Sequence, residues 1–253
     1  MKRYIPDFIT SLNLLCGTLG VIFTFYERLD IAFFLMLASA VFDFLDGFSA
    51  RLLGAYSDLG KELDSLSDLV SFGVLPAMIL FRLTAGNTSC YVIYEDISLR
   101  SLFPVLIAVF SGIRLAKFNT DQRQTSSFIG LPTPACAMIC GSLAYFVSRE
   151  PESFLASWAA GPVFIPTLSA VMSFLLICEL PMFSMKIHRN EPKNMTFRLR
   201  IAFFAAVAAI VVLVLSLRLN WSLTVLLSFV AYILLNAVAA IAKLAKKVKN
   251  HSN

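Results

Sequence analysis

Four aspartates, Asp43, Asp46, Asp64 and Asp68, fall close together in a chain otherwise crowded with Phe, Leu and Ala. A carboxylate inside an apolar helix costs roughly 2.5–3.5 kcal/mol on insertion scales, so such residues usually mark function. Asp43, Asp46, Gly47 and Ala50 fall at i, i+3, i+4 and i+7, a single helical face. Gly60, Asp64 and Asp68 fall at i, i+4 and i+8, again one face. The connection between the two stretches is short, which predicts antiparallel neighbouring helices with these faces opposed. Four carboxylates converging there repel one another unless cations sit between them. Hard oxygen ligands of this kind suit Mg²⁺ or Mn²⁺ rather than zinc. Gly47, Ala50 and Gly60 leave the same faces nearly bare beside the carboxylates, as the approach of a bulky polar ligand to the backbone requires. Asp58 and Glu62 read as solvated loop charges.

The elements that carry these residues belong in a membrane. Of 253 residues, 58% are hydrophobic and 15% charged, with a mean hydropathy of +0.78. A soluble domain carries about a quarter charged residues. Apolar runs close to the roughly 20 residues that cross a bilayer as helix recur at 9–26, 31–53, 63–83, 102–118, 132–147, 163–183, 200–217 and 222–244. None has the two-residue alternation of a membrane barrel, which leaves helices. The expectation is an all-α polytopic bundle of eight spans. It forms one transmembrane domain over 1–253, with a catalytic core over about 5–183 and two further spans over about 200–244. The first run lacks a small-residue cleavage site and reads as a retained helix rather than a signal peptide.

Charge then orients the bundle. With eight spans, fifteen of the 21 Lys and Arg fall on the side of the two termini and five on the other: Arg28, Arg82, Arg100, Arg149 and Arg218. Arg114 lies inside the fourth span. The positive-inside rule therefore predicts both termini, and the aspartate cluster with them, on the cytoplasmic side. The net charge of +5 suits anionic lipid headgroups rather than nucleic acid. Residues 87–100 read as an external loop, 184–198 as a cytoplasmic connector, and the tail from Lys243 to Lys249 as a positive-inside anchor. The five cysteines form no metal or disulfide framework, and Cys136 and Cys140, one helical turn apart, read as packing residues.

The aspartate segment resembles, at every defined position, the signature of the CDP-alcohol phosphatidyltransferase family: Asp-x2-Asp-Gly-x2-Ala-Arg-x8-Gly-x3-Asp-x3-Asp, here Asp43, Asp46, Gly47, Ala50, Arg51, Gly60, Asp64 and Asp68. The resemblance implies that the four aspartates bind two divalent ions, Mg²⁺ or Mn²⁺, which hold the pyrophosphate of a CDP-linked donor. It implies that Asp68 is the base that deprotonates the attacking alcohol, and that Gly47, Ala50, Arg51 and Gly60 border the nucleotide. It also implies a homodimer.

Three further stretches are similar to the membrane-embedded phosphatidylserine synthases of that family. The first runs from Ile5 to Gly17 and keeps Asn13 and Gly17, with Asp7 where Asn is usual. The second, Arg114-Leu-Ala-Lys117-Phe-Asn119, has Lys117 where Arg is usual, which keeps charge but loses bidentate geometry. The third is Phe128-Ile-Gly130-Leu-Pro132-Thr-Pro134. The likeness covers most of residues 5–135 and implies transfer from CDP-diacylglycerol to L-serine, in the cytoplasmic membrane of a prokaryote with the site facing the cytoplasm. Asn13 is then a contact of the CDP-lipid, and Arg114 with Lys117 a contact of phosphate or of the serine carboxylate. Snorkelling toward headgroups is the other role open to the two cations. The same chemistry with glycerol phosphate or inositol phosphate as acceptor stays open. So does a cation transporter, which predicts carboxylates near the midplane and no requirement for a CDP-lipid.

Overall fold

A computed structural model describes residues 4–84, 92–94, 97–120, 128–182 and 195–251. The helices are α1 (Tyr4–Phe25), α2 (Leu29–Leu53), α3 (Asp58–Asp68), α4 (Leu75–Thr84) and α5 (Val105–Thr120), followed by α6 (Thr133–Arg149), α7 (Phe154–Ala160), α8 (Phe164–Ile177), α9 (Met195–Ser216) and α10 (Ser222–His251). A π-helical turn at Leu69–Val74 joins α3 to α4. A 3-10 turn at Leu99–Leu102 and two small antiparallel pairs, β1 (Val92–Tyr94) with β2 (Ile97–Ser98) and β3 (Phe128–Ile129) with β4 (Pro181–Met182), complete the described elements. The expected external loop and cytoplasmic connector lie largely outside the described residues, as do the side chains of the basic tail.

The all-α polytopic architecture is as expected. Six helical segments are long and apolar enough to cross a membrane: Tyr4–Phe25, Leu29–Leu53, Asp58–Thr84, Leu99–Thr120, Phe197–Ser216 and Ser222–Ala242. The other two of the eight expected spans take different forms. Residues 132–147 fall in α6, which has only 17 residues and is buried without a break from Ala135 to Phe146. It is the central pillar of the bundle, shared by both hydrophobic clusters of the core. Of the run at 163–183, Phe164–Ile177 forms α8, which meets α7 at a bend of 85° and forms with it one broken span or re-entrant element.

Helices in lipid bury small and polar faces and turn large apolar side chains outward. In α1 the buried row is Pro6, Thr10, Asn13, Gly17, Gly20 and Thr24. Tyr4, Phe8, Leu15 and Ile22 of the same helix are exposed. At Gly17 a Cβ would lie 2.3 Å from Ser71 Oγ and 3.0 Å from Ser71 Cα, so α1 and the π turn touch backbone to backbone.

The opposite end of the bundle carries ion pairs. Arg28 Nε lies 3.1 Å from Asp30 Oδ1, Arg149 Nη2 lies 3.3 Å from Asp30 Oδ2, and Arg82 pairs with Glu27. Three of the five arginines assigned to the outer side are thus matched by acids at the end away from the aspartate cluster.

Candidate active site

The short connection between α2 and α3 is closed by local chemistry. α2 ends at Gly54, in the left-handed region at φ 59°, and Ser57 caps α3 by accepting from Gly60 N at 2.9 Å. The two motif helices are nevertheless not packed along each other as expected. α1 packs against both, while the backbones of α2 and α3 scarcely meet. A short loop forces two helix ends together but does not force their lengths into contact. The wedge left between them is where the aspartates meet.

Carboxylate oxygens of Asp43, Asp64 and Asp68 all lie within 4.8 Å of one another. Asp46 is buried and accepts from Thr10 Oγ1 at 2.7 Å. Asn13 Nδ2 donates to Asp68 Oδ1 at 3.4 Å. Three serine hydroxyls anchor this part of α1: Ser67 donates to Thr10 O at 3.2 Å, and Ser39 and Ser71 each donate to Asn13 O at 3.1 Å. The anchored stretch of α1 is therefore the floor on which the aspartates rest. Thr10, not singled out in the sequence, belongs to it. Its signal was its spacing, midway between Asp7 and Asn13 on one helical face.

The residues fit a divalent cation. The donors are carboxylate oxygens at bridging distance, and Asp64 Oδ1 is buried with no hydrogen-bond partner. A lone buried acceptor beside two more carboxylates is what a hard cation satisfies. Membrane burial of unpaired carboxylates is otherwise only a cost.

Two cavities flank the cluster and share Asp64. One, of about 220 Å³, is lined by Pro6, Asp7, Thr10, Asp46, Gly47, Ala50, Tyr56, Gly60 and Lys61 among others. A Cβ on Gly47 would meet nothing within 4 Å, whereas one on Gly60 would lie 2.7 Å from Asp7 Oδ1. Asp7, the departure from the usual Asn, thus faces the cavity beside Gly60. The other cavity, of about 200 Å³, is lined by Ser65, Asp68, Arg114, Phe118, Asn119 and the Pro132–Pro134 opening of α6. Of the four aspartates, Asp46 borders only the first cavity, Asp68 only the second, and Asp64 both.

The remaining sequence candidates divide by position. Arg114 is buried, and its Nε has no hydrogen-bond partner. Lys117, one turn on, is exposed and borders neither cavity. Arg51 is exposed and its Nε donates to Gly47 O at 2.8 Å, so it braces α2 rather than lining the cavity. Asn13 is fully buried behind Asp68 and also borders neither cavity. Asn119 borders the second cavity, where its Nδ2 donates to Ser65 Oγ at 2.8 Å and ties α5 to α3. Asp58 and Glu62 are exposed, as read from the sequence, but they belong to helix α3 rather than to a loop, because Ser57 caps that helix and starts it at Asp58.

Gly130 gives the third motif its physical reason. It sits at φ 79°, and a Cβ there would be 2.8 Å from Leu176 O. Gly130 N donates to Leu180 O at 2.9 Å and Leu131 N to Leu175 O at 2.8 Å, which ties the entry of α6 to the end of α8. The two prolines that follow stiffen the wall of the second cavity.

Comparison with known proteins agrees with this arrangement. The family profile described as CDP-alcohol phosphatidyltransferase matches residues 3–167. The chain is similar to the CDP-diacylglycerol–serine O-phosphatidyltransferase of Bacillus subtilis, 29% identical over 189 residues, covering 75% of this chain and 95% of that one. It is 32% identical over 219 residues to the protein of the same name from Mycobacterium leprae, covering 83% and 68%. With that of Methanocaldococcus jannaschii it shares 36% over 135 residues, covering 53% and 57%. A match over well above half its length, covering the aspartates and the residues that line both cavities, makes this chain a member of the CDP-alcohol phosphatidyltransferase family.

Proposed function

We propose that the protein transfers the phosphatidyl group of CDP-diacylglycerol to L-serine, giving phosphatidylserine and CMP. The observation that carries this reading is the pair of cavities meeting at Asp64, with Asp68 on the side of Arg114. The cavity bordered by Gly47, Ala50 and Gly60 suits the nucleotide half of the donor, because their missing or short side chains leave room against the helix backbones. The relatives from B. subtilis, M. leprae and M. jannaschii carry serine in their names.

Asp43, Asp46, Asp64 and Asp68 are the residues that would hold two Mg²⁺ or Mn²⁺ ions, whose chemistry is to bind the pyrophosphate and neutralise charge on it. Asp68 accepts the proton of the serine hydroxyl. The hydroxyl oxygen bonds to the phosphorus nearer the lipid as the bond from that phosphorus to the bridging oxygen breaks, and CMP departs with that oxygen. Asn13 steadies Asp68 from behind through Nδ2. Arg114, buried with a spare Nε, receives the serine carboxylate. It is the one cation bordering this cavity among the described residues. A guanidinium pairs in bidentate fashion with a carboxylate or a phosphate alike, so the choice of serine over glycerol phosphate or inositol phosphate is supported by the relatives' names. Lys117 and Arg51, both exposed, take the lesser part of headgroup contact, and Asn13 acts through Asp68. A cytoplasm-facing site in a prokaryotic cytoplasmic membrane, and a homodimer, belong to the same reading.

The test is CMP release by the purified protein with CDP-diacylglycerol, Mn²⁺ or Mg²⁺, and a panel of alcohols. Serine should support release and appear in the lipid product. Release with glycerol phosphate or inositol phosphate and not with serine would overturn the acceptor assignment while leaving the family chemistry intact.

A further inference from the structure

The second cavity holds a pair of polar side chains that the transfer step itself does not use. Asn119, near the end of α5, and Ser65 of α3 both border it, together with Asp68 and Arg114. Asn119 Nδ2 donates to Ser65 Oγ at 2.8 Å, and Ser65 Oγ donates in turn to Lys61 O, one turn back in α3, at 3.2 Å. A serine hydroxyl has a single proton to give. Because that proton is committed to Lys61 O, Ser65 can only accept from Asn119, and the amide must turn its NH2 toward Ser65. The orientation of the amide is thereby fixed, and Oδ1 is its free end. No donor meets that oxygen among the described residues.

The charged groups of this cavity already have work in the proposed reaction: Asp64 holds cations, Asp68 takes the proton, and Arg114 meets a carboxylate. An amino-acid acceptor brings one more group, an ammonium, which only donates and needs an oxygen to receive it. On Asp64 or Asp68 it would compete with the cations those carboxylates hold. A neutral amide oxygen takes it without that competition. Position favours Asn119 as well. Ser65 follows Asp64 directly and stands three residues before Asp68 on the same helix. The bond from Asn119 to Ser65 therefore ties the free oxygen to the element that carries the base. In serine a short chain joins the ammonium to the hydroxyl, so anchoring the first sets where the second falls relative to Asp68.

We propose that Asn119 is the specificity-determining residue for the amino group of the acceptor: its Oδ1, left free by the Ser65 bond, accepts from the ammonium, while Arg114 takes the carboxylate and Asp68 the hydroxyl proton. This rests on the reading in which serine is the acceptor. It adds a contact that glycerol phosphate and inositol phosphate, which have no amino group, cannot make.

The test is steady-state kinetics of full-length wild type, Asn119→Ala, Asn119→Asp and Ser65→Ala in the same detergent or vesicles, with serine as acceptor and 3-hydroxypropionate, serine without its amino group, as competitor. Asn119→Ala should raise KM for serine about tenfold or more, the scale of one hydrogen bond to a charged group. KM for CDP-diacylglycerol and the inhibition constant of 3-hydroxypropionate should stay where they are in wild type. Asn119→Asp keeps an acceptor oxygen and should hold the serine KM within about threefold of wild type, since the same bond is retained. Ser65→Ala unties the amide and should raise the serine KM by less than Asn119→Ala. An unchanged serine KM in Asn119→Ala, or in Ser65→Ala should the first variant not fold, overturns the assignment. Equal weakening of serine and 3-hydroxypropionate overturns it too, because it marks a general defect of the cavity, as does an Asn119→Asp no better than Asn119→Ala. Wild-type protein that releases CMP with another acceptor and not with serine instead overturns the acceptor reading on which the assignment rests.

Discussion

Within the aspartate cluster the four side chains are chemically alike and positionally distinct. Asp46 borders the first cavity and takes a hydrogen bond from Thr10, whereas Asp68 borders the second and takes one from Asn13. Changes at the two ends should therefore have different kinetic signatures. Asp68→Asn keeps the shape and the Asn13 contact but cannot accept the serine proton. Loss of a general base costs about 10²–10⁴-fold, so kcat should fall by at least that order. Thr10→Val removes the donor to buried Asp46 without adding bulk. A hydrogen bond to a buried charge is worth about 1.5–3 kcal/mol. The loss should raise KM for the donor by about tenfold or more and leave KM for serine near wild type. Turnover of Asp68→Asn close to wild type would remove the base assignment. A Thr10→Val effect confined to serine would reverse the assignment of the two cavities.

Among the elements, the link from β3 into α6 does the most to shape the second cavity. Gly130 holds a left-handed φ of 79° with carbonyl oxygens of α8 pressed against it. Gly130→Ala should cost about 1–3 kcal/mol from the backbone conformation alone, with the close contact adding to it. The thermal midpoint should fall, and serine KM should rise more than donor KM because Pro132–Pro134 move with the link. A variant with unchanged midpoint and kinetics would show that the link does not govern the wall. The sequence carried this element as a motif, but its cause lay in α8, more than forty residues further on, where no local pattern points to it. Helical faces were legible wherever a period could be read, as for Asp43, Asp46, Gly47 and Ala50. What could not be read was which helix fills the space between two others. The packing of α1 against both α2 and α3, and of α10 along α6, depends on contacts over long separations. The burial of α6 on all sides was equally hidden, since its apolar run looks the same whether it faces lipid or protein.

At the scale of the whole molecule, the bundle separates its charges by end. Ion pairs among Glu27, Arg28, Asp30, Arg82 and Arg149 close one end, while the other gathers acids within 4.8 Å of each other with no cation among the described residues inside the cluster. The first end is self-satisfied, and the second is stable only to the extent that something positive compensates it. Any ligand that binds the folded protein alone stabilises it by RT ln(1 + [L]/Kd), about 2.7 kcal/mol at a hundredfold excess over Kd. Adding Mn²⁺ or Mg²⁺ to chelator-treated protein should therefore raise the thermal midpoint, whereas Ca²⁺, with longer bonds and a larger coordination number, should raise it less. Asp43→Asn removes one of the mutually repelling charges. The metal-free variant should melt higher than metal-free wild type, and the shift on adding Mn²⁺ should shrink or vanish. If repulsion within the cluster does not burden the fold, Asp43→Asn will leave the metal-free midpoint where it was. If the cluster is not the cation site, the Mn²⁺ shift will survive the substitution intact.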